Sequence, residues 1–242
     1  VPFARNTATS AGAAVYVNDA APLQIIHTTI ANPTLLGNQA IYVDGGAVYI
    51  TNTLIASHTV GVEAGGSVVV EEDFNLFADV DTPVVGSVTS PGNSQVGAAA
   101  FVAPLADDYH LTGLSAALNA GAVLNPVLNA DIDGDARLRN GAPDIGCDEA
   151  RGYFSVNSGD WGAANTRDEN GVPNDPRAVV FISPLHTVTA GGAYVAGETW
   201  VQGKLAVPLG DVLTVTRPIS NAGVIQMMRT VNNANVALPS AW

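Results

Sequence analysis

Three stretches laid one over another decide the fold: AVYVNDAAPLQIIHTTIAN (residues 14–32), AIYVDGGAVYITNTLIAS (40–57) and GVEAGGSVVVEEDFNLFAD (61–79). Their columns align Val17 with Val43 and Val62, Leu23 with Val48 and Val68, Ile25 with Ile50 and Val70, and Ile30 with Ile55 and Phe77. Successive spacings are about 25 and then about 20 residues, the range of solenoids and arrays. Within each unit, short alternating apolar runs are broken by the turns Asn18-Asp19, Asp44-Gly45-Gly46 and Ala64-Gly65-Gly66, the pattern of short strands with one face toward a core. Each unit therefore reads as one coil of a parallel β-solenoid. One coil of three short strands cannot cover its own valines and isoleucines, so its neighbours must. Stacking in register also pairs each backbone N–H and C=O with the next coil and leaves unpaired edges only at the two ends. A β-sandwich shares the short strands but not the matching columns.

Composition agrees. Apolar residues make up 47% of the 242, yet aromatics are only 6%, which favours thin, regularly stacked β-layers. The 25 glycines and 14 prolines leave little room for long helices. A net charge of −13, with Lys204 the only lysine, argues against nucleic acid and against an anionic bilayer surface. It suits a soluble extracellular protein or one that collects divalent cations. Cys147 is the only cysteine, so no intrachain disulfide forms, and the adjacent Asp148 disfavours a reactive thiolate. No apolar run reaches the roughly 18 residues of a membrane span. Val1-Pro2-Phe3 is neither an initiator methionine nor a basic signal-peptide start, so a processed product or fragment is expected.

Beyond the repeats, Pro83, Gly86, Pro91 and Gly92 suggest a loop leaving the solenoid with one more irregular coil. Leu114 to Ala120 reads as a short helical turn before Gly121. Then comes DIDGDARLRNGAPDIGCDE (131–149), with eight charged side chains in nineteen residues, at the boundary between two differently patterned halves. It reads as a closing cap and hinge. Asp131, Asp133 and Asp135 have the alternate spacing of a calcium loop, but the EF-hand's Gly and Glu are replaced by Ala136 and Ala142. Two readings stay open: a looser Ca²⁺ site in which Asp131, Asp133 and Asp135 are joined by Asp144, with Asp148 or Glu149 in reach, or a structural cluster neutralised by Arg137 and Arg139.

The order DYHLTGLSAALNAGA (108–122) followed by DIDGDARLRNGAPDIGCDE resembles the end of the right-handed parallel β-helix repeat proteins of bacterial cell surfaces, including those with variable carboxy-terminal anchors. The matching positions are Leu111, Ser115, Ala117, Asn119, Ala120 and Gly121; Asp131, Asp133, Gly134 and Arg137; and Asp144, Ile145, Gly146 and Glu149. TNTLIAS (51–57) and EEDFNLFAD (71–79) resemble the family's final rungs. The likeness covers roughly residues 12 to 150 and implies a cell-surface β-helix.

From Arg151 the pattern opens afresh. SGDWGAANTRDENGVPNDPRAVVFISPLHTVTAGG (158–192) has a Trp, a turn-rich middle with Gly171, Pro173 and Pro176, and a first strand at Ala178 to Ile182. It resembles the start of another surface β-solenoid. Val188, Trp200, Leu205, Leu213, Val215 and Ile225 are the candidate inward positions, in a second small β-solenoid-like or β-sandwich segment.

Parallel β-helices include polysaccharide lyases and hydrolases. A lyase needs a basic side chain to take the proton α to a carboxylate, yet no Arg or Lys occurs between Arg5 and Arg137. A hydrolase needs two facing carboxylates, and Glu71, Glu72, Asp73, Asp79 and Asp81 fall at turn-like, solvated positions. His27, His58, His110 and His186 are widely spaced, which gives no local support to a Zn²⁺ site or a triad. Trp161, Trp200 and Trp242 can stack on sugars, but core packing is the commoner fate. No catalytic residues are assigned. The expectation is an all-β chain, with a right-handed parallel β-helix over 1–150 and a second β-rich segment over 151–242. Its role would be that of a secreted or cell-surface structural protein: scaffold, adhesin or head-to-tail filament subunit. The alternative is a carbohydrate-binding or carbohydrate-degrading fragment of a larger surface enzyme, with a polysaccharide as partner.

Overall fold

The alternating runs become strands that pair in parallel with their counterparts in the next coil. The computed structural model describes residues 2–19, 21–124, 130–138, 142–150, 152–166, 172–176 and 178–227; Arg139, Gly171 and Trp242 lie outside them. The described residues are nearly all β, without an α-helix, and hold about nine turns of parallel β-solenoid in all. Among the described residues, no helix is long and apolar enough to cross a membrane. Contacts divide the chain into two compact units, Val1–Ala150 and Arg151–Trp242.

In the first unit, β3 (Leu23–Ile26), β5 (Ala47–Thr51), β7 (Val69–Asp73) and β9 (Val88–Thr89) form one parallel sheet. The second sheet holds β1 (Pro2–Ala4), β2 (Val15–Asn18), β4 (Thr29–Gly45), β6 (Leu54–Ala64), β8 (Leu76–Val85) and β10 (Gln95–Val96). The coils turn at repeated left-handed positions. His27, Asn52 and Phe74 have φ of 45°, 51° and 53°, and Ser57 and Asp79 have 61° and 51°. A side chain in this region costs about 1–2 kcal/mol, and at Asn52 local bonds compensate: its amide both donates to the Ala122 carbonyl and accepts the Ala122 N–H. The third corner uses glycine. At Gly46 (φ 76°) a Cβ would lie 1.9 Å from the Asp19 carbonyl oxygen.

Ile30, Ile55 and Phe77 do stack in one column, and so do Val17 with Val43, Leu23 with Val48, and Ile25 with Ile50. The third coil is displaced by two residues from the alignment. Val48 pairs with Val70 instead of Val68, Ile50 with Glu72 instead of Val70, and Val43 with Ala64 instead of Val62. A slip of two leaves every side chain on its own face, so apolar alternation cannot detect it. One result corrects the expectation for the acids: Glu72 is buried in the Ile25–Ile50 column, where its Oε2 accepts from Asn75 Nδ2 and Ser94 Oγ. Pairing of β9 with β7 and of β10 with β8 makes the Pro/Gly-rich stretch a fourth coil.

Leu54 and Ala56 flank the inward Ile55 and therefore point outward, yet both are buried. With Ala31, Leu76 and Ala78 they pack under Ala99, Tyr109, Leu111, Ala117 and Ile145. The described residues of 97–150 thus form a buttress along the side of the stack. At one end the Gln95 side chain donates to the Ala116 carbonyl; at the other, Arg5 after β1 bonds Asp107 and the Leu105 carbonyl. Between them β11 (Phe101–Ala103) pairs antiparallel with β12 (Asp108–Leu111). The acidic motif lies in this flank instead of over an end of the solenoid: the Gly146 N–H donates to the Asn52 carbonyl and the Cys147 N–H to Thr29 Oγ1. Residues 115–120 form consecutive turns, closed by the Leu118 and Ala120 N–H groups on the Ser115 and Ala117 carbonyls.

The second unit is also a parallel solenoid, not a sandwich. One sheet runs through β13 (Gly152–Phe154), β15 (Val179–Ile182), β18 (Thr199–Val201) and β21 (Ile219–Asn221). Another runs through β14 (Gly159–Asp160), β16 (Thr187–Thr189), β19 (Lys204–Val207) and β22 (Val224–Met227), and β17 (Ala193–Ala196) pairs with β20 (Val212–Val215). Val188 and Leu205 are buried in the core, with Leu213 and Ile225 packed against it; Val215 is half-buried. Trp200 is the exception among the inward candidates. It alternates with the buried Thr199 and Val201, so it faces out and stacks on Phe181, which stacks on Phe154.

Because the buttress covers Leu54, Leu54→Ala should destabilise the chain by about 2–5 kcal/mol in urea unfolding, as Ile55→Ala should. A loss below about 0.5 kcal/mol, the scale of exposed substitutions, would mean that the outer face is open.

Candidate functional site

The buttress has irregular backbone, and its main-chain N–H groups need acceptors that a sheet would otherwise supply. Its carboxylates provide them. Asp131 Oδ1 accepts the N–H groups of Asp133 and Asp135, both at 2.8 Å, and its Oδ2 accepts that of Glu149 at 2.9 Å. Asp144 accepts from Asn119 (2.6 Å) and Ala150 (2.8 Å), Glu149 from Asp144 (2.9 Å), and Asp148 from Leu111 (2.7 Å). Arg137 is buried at the centre. Its guanidinium donates to the carbonyls of Ala130, Gly146 and Cys147 and lies 3.8 Å from Glu149.

The structure brings Asp131, Asp133 and Asp135 together, with one oxygen from each within 4.8 Å of the others. Asp144 is not in that group; it sits among the backbone donors just named. Burial, reinforced by the charge of Glu149, pushes the Asp144 carboxyl up to about 8 against those two N–H bonds. Burial likewise raises Cys147, in keeping with a small structural residue.

A second group escaped the reading of the sequence: His110, Asp133 and Asp148 also place one ligand atom each within 4.8 Å of one another. Asp108 and His110 are alternate residues of β12 and so share a face, which is the signal that could have revealed half of it. His110 Nδ1 lies 2.6 Å from Asp108 Oδ1 and Nε2 lies 3.0 Å from Asp133 Oδ2. Burial pulls the imidazole down, but the bond to Asp108 and the charges of Asp148, Asp133 and Asp108 leave it above its ordinary value. Burial, with added repulsion from Asp131 and Asp133, lifts Asp148 to about 6.

The other histidines are structural. His58 Nε2 meets Asn32 Nδ2 at 3.0 Å, and His27 Nε2 meets Asn52 Nδ2 at 3.1 Å. An amide nitrogen can only donate, so both Nε2 atoms accept and both rings carry their proton on Nδ1. His186 Nδ1 bonds Ser155 Oγ. Trp161 is fully buried and donates to the Pro173 carbonyl. In the Phe154–Phe181–Trp200 ladder the rings are nearly parallel, so Phe181 has an aromatic neighbour on each face. No family model, curated protein or solved structure matches the chain.

Two outcomes follow for the buttress. Arg137→Met strands Glu149 without its cation and should cost about 3–5 kcal/mol, while Ca²⁺ added to metal-free chain should leave the melting temperature unmoved, since backbone donors occupy both oxygens of Asp131. A rise with Ca²⁺ and a mild Arg137→Met would reverse this assignment. Burial first, and the Arg137 charge second, push His27 down to about 4. The folded chain then binds fewer protons than the unfolded chain between that value and the ordinary 6.5. This stability is complete above the upper value and lost as pH falls through the lower. His27→Asn, which tolerates the left-handed backbone, should flatten the acid side of a urea-midpoint profile; identical profiles would refute the role of His27.

Proposed function

We propose that this chain is a secreted or cell-surface structural protein, of the bacterial surface β-helix kind that its 108–149 motif resembles, and that it self-associates through the ends of its stack. The observation that carries the reading is the pair of terminal rungs in the first unit. β1 and β10 end their sheet. Val96, in the column of Phe77, Ile55 and Ile30, is 72% exposed, and Phe3 in the same column at the other end is 37% exposed. A coil supplied by a second copy would extend both parallel pairing and apolar burial at these positions. The acidic composition, with one cysteine and one lysine, suits a location outside the cell.

Electron microscopy and sedimentation at rising concentration test this. Filaments or a ladder of oligomers are expected, and Val96→Lys, at an exposed position, should abolish them while leaving the melting temperature unchanged. A monodisperse monomer at high concentration would refute the proposal.

A further inference from the structure

We propose that His110, Asp133 and Asp148 form a binding site for a zinc-class divalent cation, with Asp108 as the residue that orients the histidine. The three ligands come from separate parts of the buttress: His110 from β12, Asp133 from the turn after Asp131, and Asp148 from the segment that crosses the coils. They therefore meet only in the folded chain.

The geometry suits a small tetrahedral ion. Zn²⁺ bonds to nitrogen and oxygen near 2.0–2.2 Å place neighbouring ligand atoms about 3.4 Å apart. Here His110 Nε2 and Asp133 Oδ2 are 3.0 Å apart, and the three ligand atoms all lie within 4.8 Å of one another. Small side-chain rotations cover the difference. The imidazole makes the ligand set one of mixed nitrogen and oxygen, which suits zinc; calcium takes six to eight oxygens. Zinc-bound histidines commonly give their other ring nitrogen to a carboxylate, which fixes the tautomer and the ring plane. Asp108 at 2.6 Å from Nδ1 occupies that place.

Asp148 supplies a separate reason for a cation. Asp148 is buried, only 5% exposed, and it lies in the fields of Asp131 and Asp133. A dication between Asp148 and Asp133 removes that repulsion. Binding exchanges three waters of the hydrated ion for one Zn–N and two Zn–O bonds, and any proton on His110 Nε2 or on the Asp148 carboxyl leaves to solvent. The His110 and Asp133 side chains are 27% and 24% exposed, so the ion has a path in and a fourth position open to water. The Asp131, Asp133 and Asp135 group differs, since backbone N–H groups already hold both oxygens of Asp131.

The test is a Zn²⁺ titration of the full, chelator-stripped chain in competition with a chromophoric chelator near neutral pH. One equivalent should bind. Asp108→Asn should weaken binding by about 10-fold, within the range for outer partners of a metal ligand, and loss of the ligand itself in His110→Ala should weaken it by about 100-fold or more, while Asp135→Asn should leave it unchanged. No binding to the parent chain, equal binding to His110→Ala, or an equal loss in Asp135→Asn would each overturn the proposal. X-ray absorption of the zinc-loaded parent chain decides it without any variant: one imidazole in the first shell supports the site, and an all-oxygen shell rejects it.

Discussion

Leu54 and Ile55 are consecutive residues of one strand, and both are fully buried. Successive side chains of a strand point to opposite faces, so this sheet needs cover on both sides. The stack of coils supplies it on the inside, where Ile55 sits between Ile30 and Phe77. On the outside nothing in the repeats can do so, and the 97–150 buttress exists to meet that demand. Its placement along the flank, its turns and its charged side chains all follow from having to cross several coils.

A segment that crosses strands cannot join their hydrogen-bond ladder, and its own N–H groups must be satisfied locally. The carboxylates of Asp131, Asp144, Asp148 and Glu149 do this, and Arg137 binds the carbonyls. The concentration of charge is thus first a solution to a backbone problem in a place without regular structure. The same solution crowds carboxylates around Asp148 and His110, and this crowding, more than the calcium-like spacing of three aspartates, creates a place for a cation. Structural need and binding capacity arise from the same side chains.

The columns Ile30–Ile55–Phe77 and Val17–Val43 could be read from residue type because a parallel stack repeats its apolar positions. The two-residue slip of the third coil could not, since Val68 and Val70 are equally apolar and lie on the same face. Glu72 shows the consequence. A glutamate beside Glu71 and Asp73 looks solvated, and only the partners Asn75 and Ser94 make its burial tolerable. Trp200 shows a related difficulty, because a large aromatic between Thr199 and Val201 looks like core until pairing places it on the outer ladder with Phe181. In the candidate site, Asp131, Asp133 and Asp135 were legible as neighbours along the chain. His110 and Asp148, 38 positions apart, were not.

The sequence by itself determined that the described residues are nearly all β, that their coils stack in parallel, and that the pattern of the chain opens afresh near residue 150. Those properties rest on local alternation, turn residues and repeat spacing, which neighbouring residues specify. Only the tertiary structure decided the exact register, the lateral course of the acidic motif, and the meeting of His110 with Asp133 and Asp148. Each of these depends on which distant segment covers an apolar face, and many segments of similar composition could have been written for that task.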